Sequence, residues 1–573
     1  MKIGSMMTFQ AEMTCGQPVP DLRSPDQVMT LSRLGAFFPH RLSFMRVFLR
    51  RAAAEGAGLT VPVCQLDQDG FGHMVLCLPV GGQLFSLIAY SRPLDAADRT
   101  DRVIATKWDA SFCLFEGMPT SADIAALSDQ VTHQEAGLYH DRVLTLSRAN
   151  KSVRLFAHIV DQLAAGHQPD LDKLKATGYL MRTTAVYGNG KFGIADRDKV
   201  TGYEGLAGPF QAEMLTVFLI REFTLLLAEY CARQKGGDKA VRLTAPIRRY
   251  IGVGNSTGLG MAPFLVNHPC LIHSWIMARE VALARALAVS TLSDQQQARL
   301  NDLLDRAAAH IAQWVVDDAD QMARNHQLSA ELDDLRAGLA EQPLAEQAPL
   351  ADLFFRVQSC SEDAQELMVS VLLELIPSQV DGLAECMATP STPKLDPGMS
   401  VSDLTAIMDQ HYRWTQAVNR SDPAAQAQFW YVSEEKLEPR LGNRYDEPGA
   451  EREMPFNIAL YVDQLRQALL QADPAMSVAE FLMRQPELRH IVRRVQTTAR
   501  YPYGEIRDNL VGEACRPIDL LRCKLSFFGA SKFDPKSDRW TRITLYQGAP
   551  TADDLTGSDK ASLDDWLFPL HPA

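Results

Sequence analysis

The change from short β-rich segments to long helical ones is the feature of this sequence that most constrains its fold. Between residues 59 and 116, runs rich in Val, Leu, Phe and Tyr are separated by Gly or Asp. This spacing is typical of an antiparallel meander of short strands. After Pro119, apolar residues recur every three or four positions, which predicts helices. The sequence therefore predicts an α+β protein, predominantly α-helical with a β-rich N-terminal region.

Two β elements interrupt the predicted helices. The dipeptide Asn189-Gly190 lies within residues 180–196 and is a strong signal for a two-residue hairpin turn. Near the C-terminus, residues 521–529 and 540–547 are predicted to form a pair of strands. Residues 388–400 are rich in Pro, Ser and Thr, which is typical of a linker or a long surface loop.

The chain has 573 residues, more than one hydrophobic core usually supports, so we expect several regions. A β-rich N-terminal region covers residues 1–120, and a central helical region covers residues 121–387. The central region contains the hairpin and a glycine-rich loop at residues 252–260. A C-terminal α+β region covers residues 388–573.

Charge and cysteine usage restrict the partners and the compartment that we expect. The net charge is −13, and an acidic surface is unsuited to the phosphate backbone of nucleic acids. The first ten residues contain no apolar run of the kind that a signal peptide needs, and no segment is apolar for the length of a membrane span. The ten cysteines form no Cys-x-x-Cys pair. We therefore expect a cytoplasmic protein that binds neither nucleic acid nor membrane.

The glycine-rich segment is the strongest signal for a ligand. It combines glycines with short polar residues after two arginines: Gly252, Gly254, Gly258 and Gly260 with Asn255, Ser256 and Thr257, after Arg248 and Arg249. A glycine-rich backbone can present N–H groups to an anion, and an arginine adds charge-assisted hydrogen bonds. We therefore predict that Arg249, Asn255, Ser256 and Thr257 bind an anionic substrate. The alternative is that the glycines only permit tight turns between packed helices.

Two nucleotide-binding motifs fail on the same segment. A Walker A loop requires Gly-Lys-Ser/Thr, which is absent from the sequence. A dinucleotide-binding fold requires one continuous helix and a returning strand after the glycines. Pro263 and Pro269 break the first helix, and the sequence predicts two long helices where the strand is required.

Candidate proton-transfer residues lie in two other segments. His273 is predicted in the first turns of a helix that opens at Pro269, where the helix dipole favours a neutral imidazole base. Tyr503 and Glu505 lie on a turn together with Arg507, which could orient an anion. For each of them, the alternative is an ordinary hydrogen bond or salt bridge in a packed turn. Arg182, on the first strand of the predicted hairpin, is a further candidate anion ligand.

These observations predict an enzyme of the lyase, hydratase or isomerase type. His273, Tyr503 and Glu505 would transfer protons on a small molecule that carries a carboxylate or phosphate. No organic cofactor and no local metal-ligand spacing is evident in the sequence. Two alternatives stay open: a nucleotide- or flavin-dependent transferase or oxidoreductase that uses the loop as a phosphate cradle, and a non-enzymatic helical protein that assembles into homo-oligomers.

Overall fold

The computed structural model has the predicted α+β architecture, in which helices outnumber strands. It describes residues 22–56, 58–95, 108–133, 140–152, 154–188, 191–192, 200, 202–258, 268–387, 393–418, 430–433, 439–441, 453–456, 458–507, 518–537, 540–557 and 563–572. Within these residues, no single helix is both long and apolar enough to cross a membrane. One bent pair of helices, Glu362–Glu374 with Pro377–Cys386, has the required length and composition, and residues 363–374 are buried inside the protein.

Strands come from both ends of the chain. The larger sheet contains β1 Thr60–Leu66, β2 Gly72–Val80, β3 Gln83–Ser91, β4 Ala110–Glu116, β5 Val143–Lys151, β6 Tyr179–Gly188, β7 Lys191–Phe192, β8 Gly252–Gly258, β12 Phe533–Ser537 and β13 Trp540–Leu545. A smaller sheet contains β9 Trp430–Ser433, β10 Pro439–Leu441 and β11 Glu453–Phe456.

Helices fill most of the remaining described chain. They are α1 Pro25–Val28, α2 Leu31–Leu34, α3 Phe44–Glu55, α4 Ser121–His133, α5 Phe156–Ala164, α6 Leu171–Thr177, α7 Gln211–Gly236, α8 Ala245–Tyr250, α9 Pro269–Leu287, α10 Asp294–Gln313, α11 Ala319–Glu341, α12 Pro349–Arg356, α13 Glu362–Glu374, α14 Pro377–Val380, α15 Val401–His411, α16 Ile458–Leu470, α17 Val478–Arg484, α18 Arg489–Arg500, α19 Ile518–Phe528 and α20 Ala552–Leu555.

The larger sheet has the order β1-β2-β3-β4-β5-β6-β8-β13-β12, with β7 paired to β6. All its described pairs are antiparallel except β6 with β8, which run parallel. The N-terminal meander therefore continues, through β6 and β8, into the C-terminal hairpin of β12 and β13. The hairpin predicted around Asn189-Gly190 is confirmed by the β6–β7 pairing, although these two residues lie outside the described part of the chain.

The long helix α7 covers one face of this sheet. The ring of Phe223 on α7 lies 5.5 Å from the ring of Phe112 on β4, so the even-numbered residues of β4 face this helix. The second face is covered beside β3, β4 and β5 by α4, whose apolar residues form a separate core cluster with those strands. Beside β6, β8 and β13, the second face lines a cleft.

Arg221 on α7 connects the strands that form this cleft. Its guanidinium group is fully buried and donates five hydrogen bonds of 2.7–3.0 Å to backbone carbonyl oxygens: Arg248, Arg249, Ile251, Ala549 and Pro550. The first three precede β8, and the last two follow β13. One side chain therefore ties together the chain segments next to β8 and β13.

Two sequence-based expectations about local structure are wrong. Residues 521–528 belong to helix α19, Gly529 follows the helix, and the segment is not a strand. Arg522 and Lys524 are both buried in this helix, and a short apolar run of this kind does not distinguish a buried helix from a buried strand. The segment expected as a loop at residues 252–260 forms strand β8 over Gly252–Gly258, and residues 259–260 lie outside the described chain.

Candidate functional site

Strand β8 contains glycine because neighbouring groups occupy the space above its backbone. A Cβ atom at Gly254 would lie 2.6 Å from the ring of Tyr179, and one at Gly252 would lie 2.3 Å from the carbonyl oxygen of Leu545. No side chain fits at such distances without displacing its neighbours. The ring of Tyr179 therefore lies directly over Gly254, and glycine at this position has a packing role.

A row of four residues crosses the sheet at this point. Asn150 on β5 pairs with Arg182 on β6, Arg182 pairs with Gly254 on β8, and Gly254 pairs with Thr544 on β13. Directly paired residues share a face of the sheet. Their neighbours Thr183 and Asn255 belong to the opposite face, which carries the α7 packing. The row therefore lies on the face that α7 does not cover.

This face forms the floor of a cleft that encloses about 180 Å³. Asn150, Tyr179, Arg182 and Thr544 all line it, together with Arg542, two residues before Thr544 on the same strand. Because successive strand residues point to opposite faces, Arg542 lies on the same face as Thr544. Arg182 and Arg542 lie on either side of the Tyr179 ring. The usual spacing between strands and rise per residue place their Cα atoms at a distance of roughly 12 Å.

Cations dominate the described residues that line the cleft. Six lysines and arginines line it against one carboxylate, Asp534. The ammonium of Lys151 lies instead over the rings of Phe71 and Phe156, at 5.3 and 5.0 Å, and neither ring lines the cleft. Lys175 lies 3.7 Å from the carboxylate of Asp172, which does not line the cleft. With Lys175, five cationic side chains border the same small volume: Arg154, Lys175, Arg182, Lys532 and Arg542.

Two titratable groups on one wall are perturbed by burial. Burial lowers the pKa of Lys532, and nearby Asp534 raises it in part. Burial raises the pKa of Asp534, while its ion pair with Lys536, at 2.5 Å, and Arg542 lower it. Among the described residues, the buried Oδ1 atom of Asp534 has no hydrogen-bond partner. Burial thus moves the pKa of each group toward neutral pH, as is typical of groups that transfer protons.

An aromatic contact fixes the same wall. The indole Nε1 of Trp314 donates a 2.9 Å hydrogen bond to the carbonyl oxygen of Phe533, and the two rings meet edge to face at 5.4 Å. Phe533 lies between Lys532 and Asp534 in the chain. Because Trp314 is 3% exposed, it holds the backbone between these two groups in one place.

The predicted substrate ligands separate in the structure. Arg182 lines the cleft, as described above. Arg249 forms a bidentate ion pair with Asp554, at 3.0 and 2.9 Å, away from the cleft lining. Asn255 is buried on the α7 face and donates to the hydroxyl of Thr183 at 3.2 Å. Two further predicted ligands belong to β8, and their side chains lie outside the described residues: Ser256 and Thr257.

His273 and Tyr503, two of the predicted catalytic residues, do meet, but not at the cleft. His273 Nδ1 accepts a 3.2 Å hydrogen bond from the backbone N–H of Tyr503, and its ring contacts Tyr501 at 5.3 Å. Burial lowers the pKa of His273 to about 3. Burial also raises the pKa of Tyr503, whose hydroxyl donates to the carbonyl oxygen of Arg23 at 2.6 Å. These contacts are those of buried residues that join α9 to the turn after α18.

Glu505 and Arg507 lie next to this group and have strong partners. Glu505 accepts two hydrogen bonds from Arg494, at 2.6 and 2.8 Å, and a third from the hydroxyl of Tyr412 at 3.0 Å. Arg507 forms an ion pair with Asp26. Both side chains are buried, and neither lines the cleft. Their predicted roles in catalysis and substrate binding stay predictions.

Most of the residues that line the cleft are not predicted from the sequence. Arg542 and Thr544 alternate with Ile543 and Leu545 in the predicted strand at residues 540–547, and this polar face was a usable signal. The other missed residues come from separate elements and have no common local pattern: Arg154, Lys175, Tyr179, Lys532 and Asp534.

Comparison with known proteins identifies no relative whose function could be transferred to this chain. Comparison with models of known protein families gave no match, and neither a curated protein nor a solved structure is significantly similar to the chain. What this geometry defines is an α+β protein with a cation-lined cleft on one face of a mixed sheet. Its function has to be argued from that cleft.

Proposed function

We propose that the protein is an enzyme that binds a small molecule carrying a carboxylate or phosphate in the cation-lined cleft and acts on it by proton transfer. The observation that carries the proposal is the excess of cations among the described lining residues, in a protein with a net charge of −13. Five cationic side chains from separate elements border one small volume, and such a concentration of positive charge attracts a small anion.

The geometry favours a carboxylate or phosphate over a larger ligand. Arginine offers planar paired donors that match these groups, and Arg182 and Arg542 both reach the cleft from rigid strands. The volume of about 180 Å³ is below the range of roughly 300–1,000 Å³ that is usual for drug-sized ligands. A small metabolite therefore suits the cleft better than a flavin or a dinucleotide.

Asp534 and Lys532 are the proposed proton-transfer groups. A carboxylate whose pKa is raised by burial is a stronger base, and Asp534 lines the cleft, so we assign to its carboxylate the removal of a proton from a substrate carbon. Lys532, whose pKa burial lowers, can donate its proton to the oxygen that leaves or becomes an enol. This division of roles is that of a lyase, hydratase or isomerase.

Binding is tested first, by calorimetric titration with propylphosphonate. We expect saturable binding that Arg182→Gln weakens by about tenfold or more, as is typical for the loss of a charge-assisted hydrogen bond. Arg484→Gln is the matched control, because it removes the same charge from an exposed position in the last turn of α17. Equal weakening by both variants would show a general charge effect and would contradict the proposal.

Proton transfer is tested by incubating the protein with mixed small carboxylates and phosphate esters in D2O. We expect mass spectrometry to show deuterium entering one compound with the wild-type protein and with Arg484→Gln. Asp534→Asn should abolish the exchange while keeping propylphosphonate binding. Exchange that survives Asp534→Asn would remove Asp534 from the proposed reaction.

A further inference from the structure

The cations of the cleft form two groups with an aromatic ring between them. Arg154, Lys175 and Arg182 belong to β6 or to the segments next to β5 and β6, on one side. On the other side, Lys532 and Arg542 belong to β12 and β13 or to the residue just before them. The strand between these groups is β8, and above Gly254 on this strand lies the ring of Tyr179.

The two central arginines belong to strands on opposite sides of β8. The register places Arg182 opposite Gly254, and Arg542 opposite residue 256 on the same strand, beyond the ring. Their Cα atoms are separated by two strand spacings and two residues, or roughly 12 Å. The Tyr179 ring covers the position on β8 where a single anion would otherwise lie between them.

From this arrangement we infer that the ligand of the cleft carries an anionic group at each end of a short carbon skeleton. One anionic group lies with Arg182, Arg154 and Lys175, and the other lies with Arg542 and Lys532. The carbon skeleton lies against the Tyr179 ring, whose face is apolar and suits carbon better than charge. The inference rests on the proposed function. It narrows the ligands of the cleft to dicarboxylates, phosphorylated carboxylates and bisphosphates of a few carbon atoms.

A matched pair of compounds tests this inference on the wild-type protein. 3-Phosphonopropionate and propylphosphonate share a phosphonate and a chain of three carbons, and they differ in that only the first ends in a carboxylate. We expect 3-phosphonopropionate to bind at least about tenfold more tightly, because it gains a second charge-assisted contact. Each of Arg182→Gln and Arg542→Gln should bring the ratio close to one, and Arg484→Gln should leave it unchanged.

The outcomes separate this inference from the proposed function. Equal affinities for the two compounds would overturn the two-ended ligand and would leave an anion site intact. Absence of binding for both compounds would overturn the proposed function together with the inference. Because the comparison of the two ligands uses the unaltered chain, it decides the question even where an arginine variant does not fold.

Discussion

Glu222 makes a strong prediction about how stability depends on pH. This residue lies on α7 beside Arg221 and is 1% exposed, and its Oε1 atom has no hydrogen-bond partner among the described residues. Burial raises the pKa of Glu222 to about 7, from an ordinary value of 4.5. Arg221, Arg248 and the backbone N–H of Ala552 lower it, and Asp553 raises it, but burial has the largest effect.

The sign of the effect follows from proton binding. The folded protein keeps a proton on Glu222 between pH 4.5 and about 7, where the unfolded chain has released it. The contribution of Glu222 to the stability of the protein is therefore largest below pH 4.5 and is lost as the pH rises through 7. Between pH 5 and 8 the loss amounts to roughly 2.5 kcal/mol, from linkage at 1.36 kcal/mol per pKa unit. Glu222→Gln removes the titration and with it this loss.

Urea unfolding of the wild type and Glu222→Gln at pH 5 and pH 8 measures the effect. Other titrating groups are common to both proteins and cancel in the difference between them. We expect the free energy of unfolding of the variant, relative to that of the wild type, to increase by roughly 2.5 kcal/mol between pH 5 and pH 8. Glu487→Gln, at an exposed position, is the control and should show no such gain. A wild-type-to-variant difference that is the same at both pH values would refute the reasoning.

Three further predictions concern packing and charge. Gly254→Ala should cost about 1–3 kcal/mol in urea unfolding, because its Cβ would lie 2.6 Å from the Tyr179 ring, and Tyr179→Ala in the same chain should recover part of the loss. Glu366→Gln should cost about 3–5 kcal/mol, since this fully buried carboxylate pairs with three arginines. Glu362→Gln, at a half-buried position with one arginine partner, should cost about 1 kcal/mol or less. Lys532→Met should raise the melting temperature at pH 7 and weaken the binding of 3-phosphonopropionate by about tenfold. It should also remove the gain in stability that the wild type shows as pH rises through the lowered pKa of Lys532 toward 10.5.

The sequence predicts elements well where local periodicity is strong. The N-terminal strands show a clear period of two residues, and the long segment that begins at Pro269 is helical, as the sequence predicts. The prediction of a strand at residues 521–529 fails because a short apolar run has the same pattern in a buried strand and in a buried helix.

The cleft could be predicted only in part, because its parts meet through the order of the strands. Arg182 was found as a candidate ligand from its place on a β-rich segment. Arg542 and Lys532 lie some 350 residues further along the chain, and only the pairing of β8 with β13 brings them near. Arg249 lies in the segment of the sequence that most resembles a ligand-binding site. In the structure its guanidinium donates to Asp554, which is distant in sequence.

The most direct test of the account is to locate a bound anion. Crystals of the protein soaked in tungstate, a heavy analogue of phosphate, would show its position by anomalous scattering. We predict a peak in the cleft beside the Tyr179 ring, within hydrogen-bond distance of Arg182 or Arg542. Tungstate bound only at other sites, with the cleft empty, would contradict the central claim that this face of the sheet is an anion-binding site.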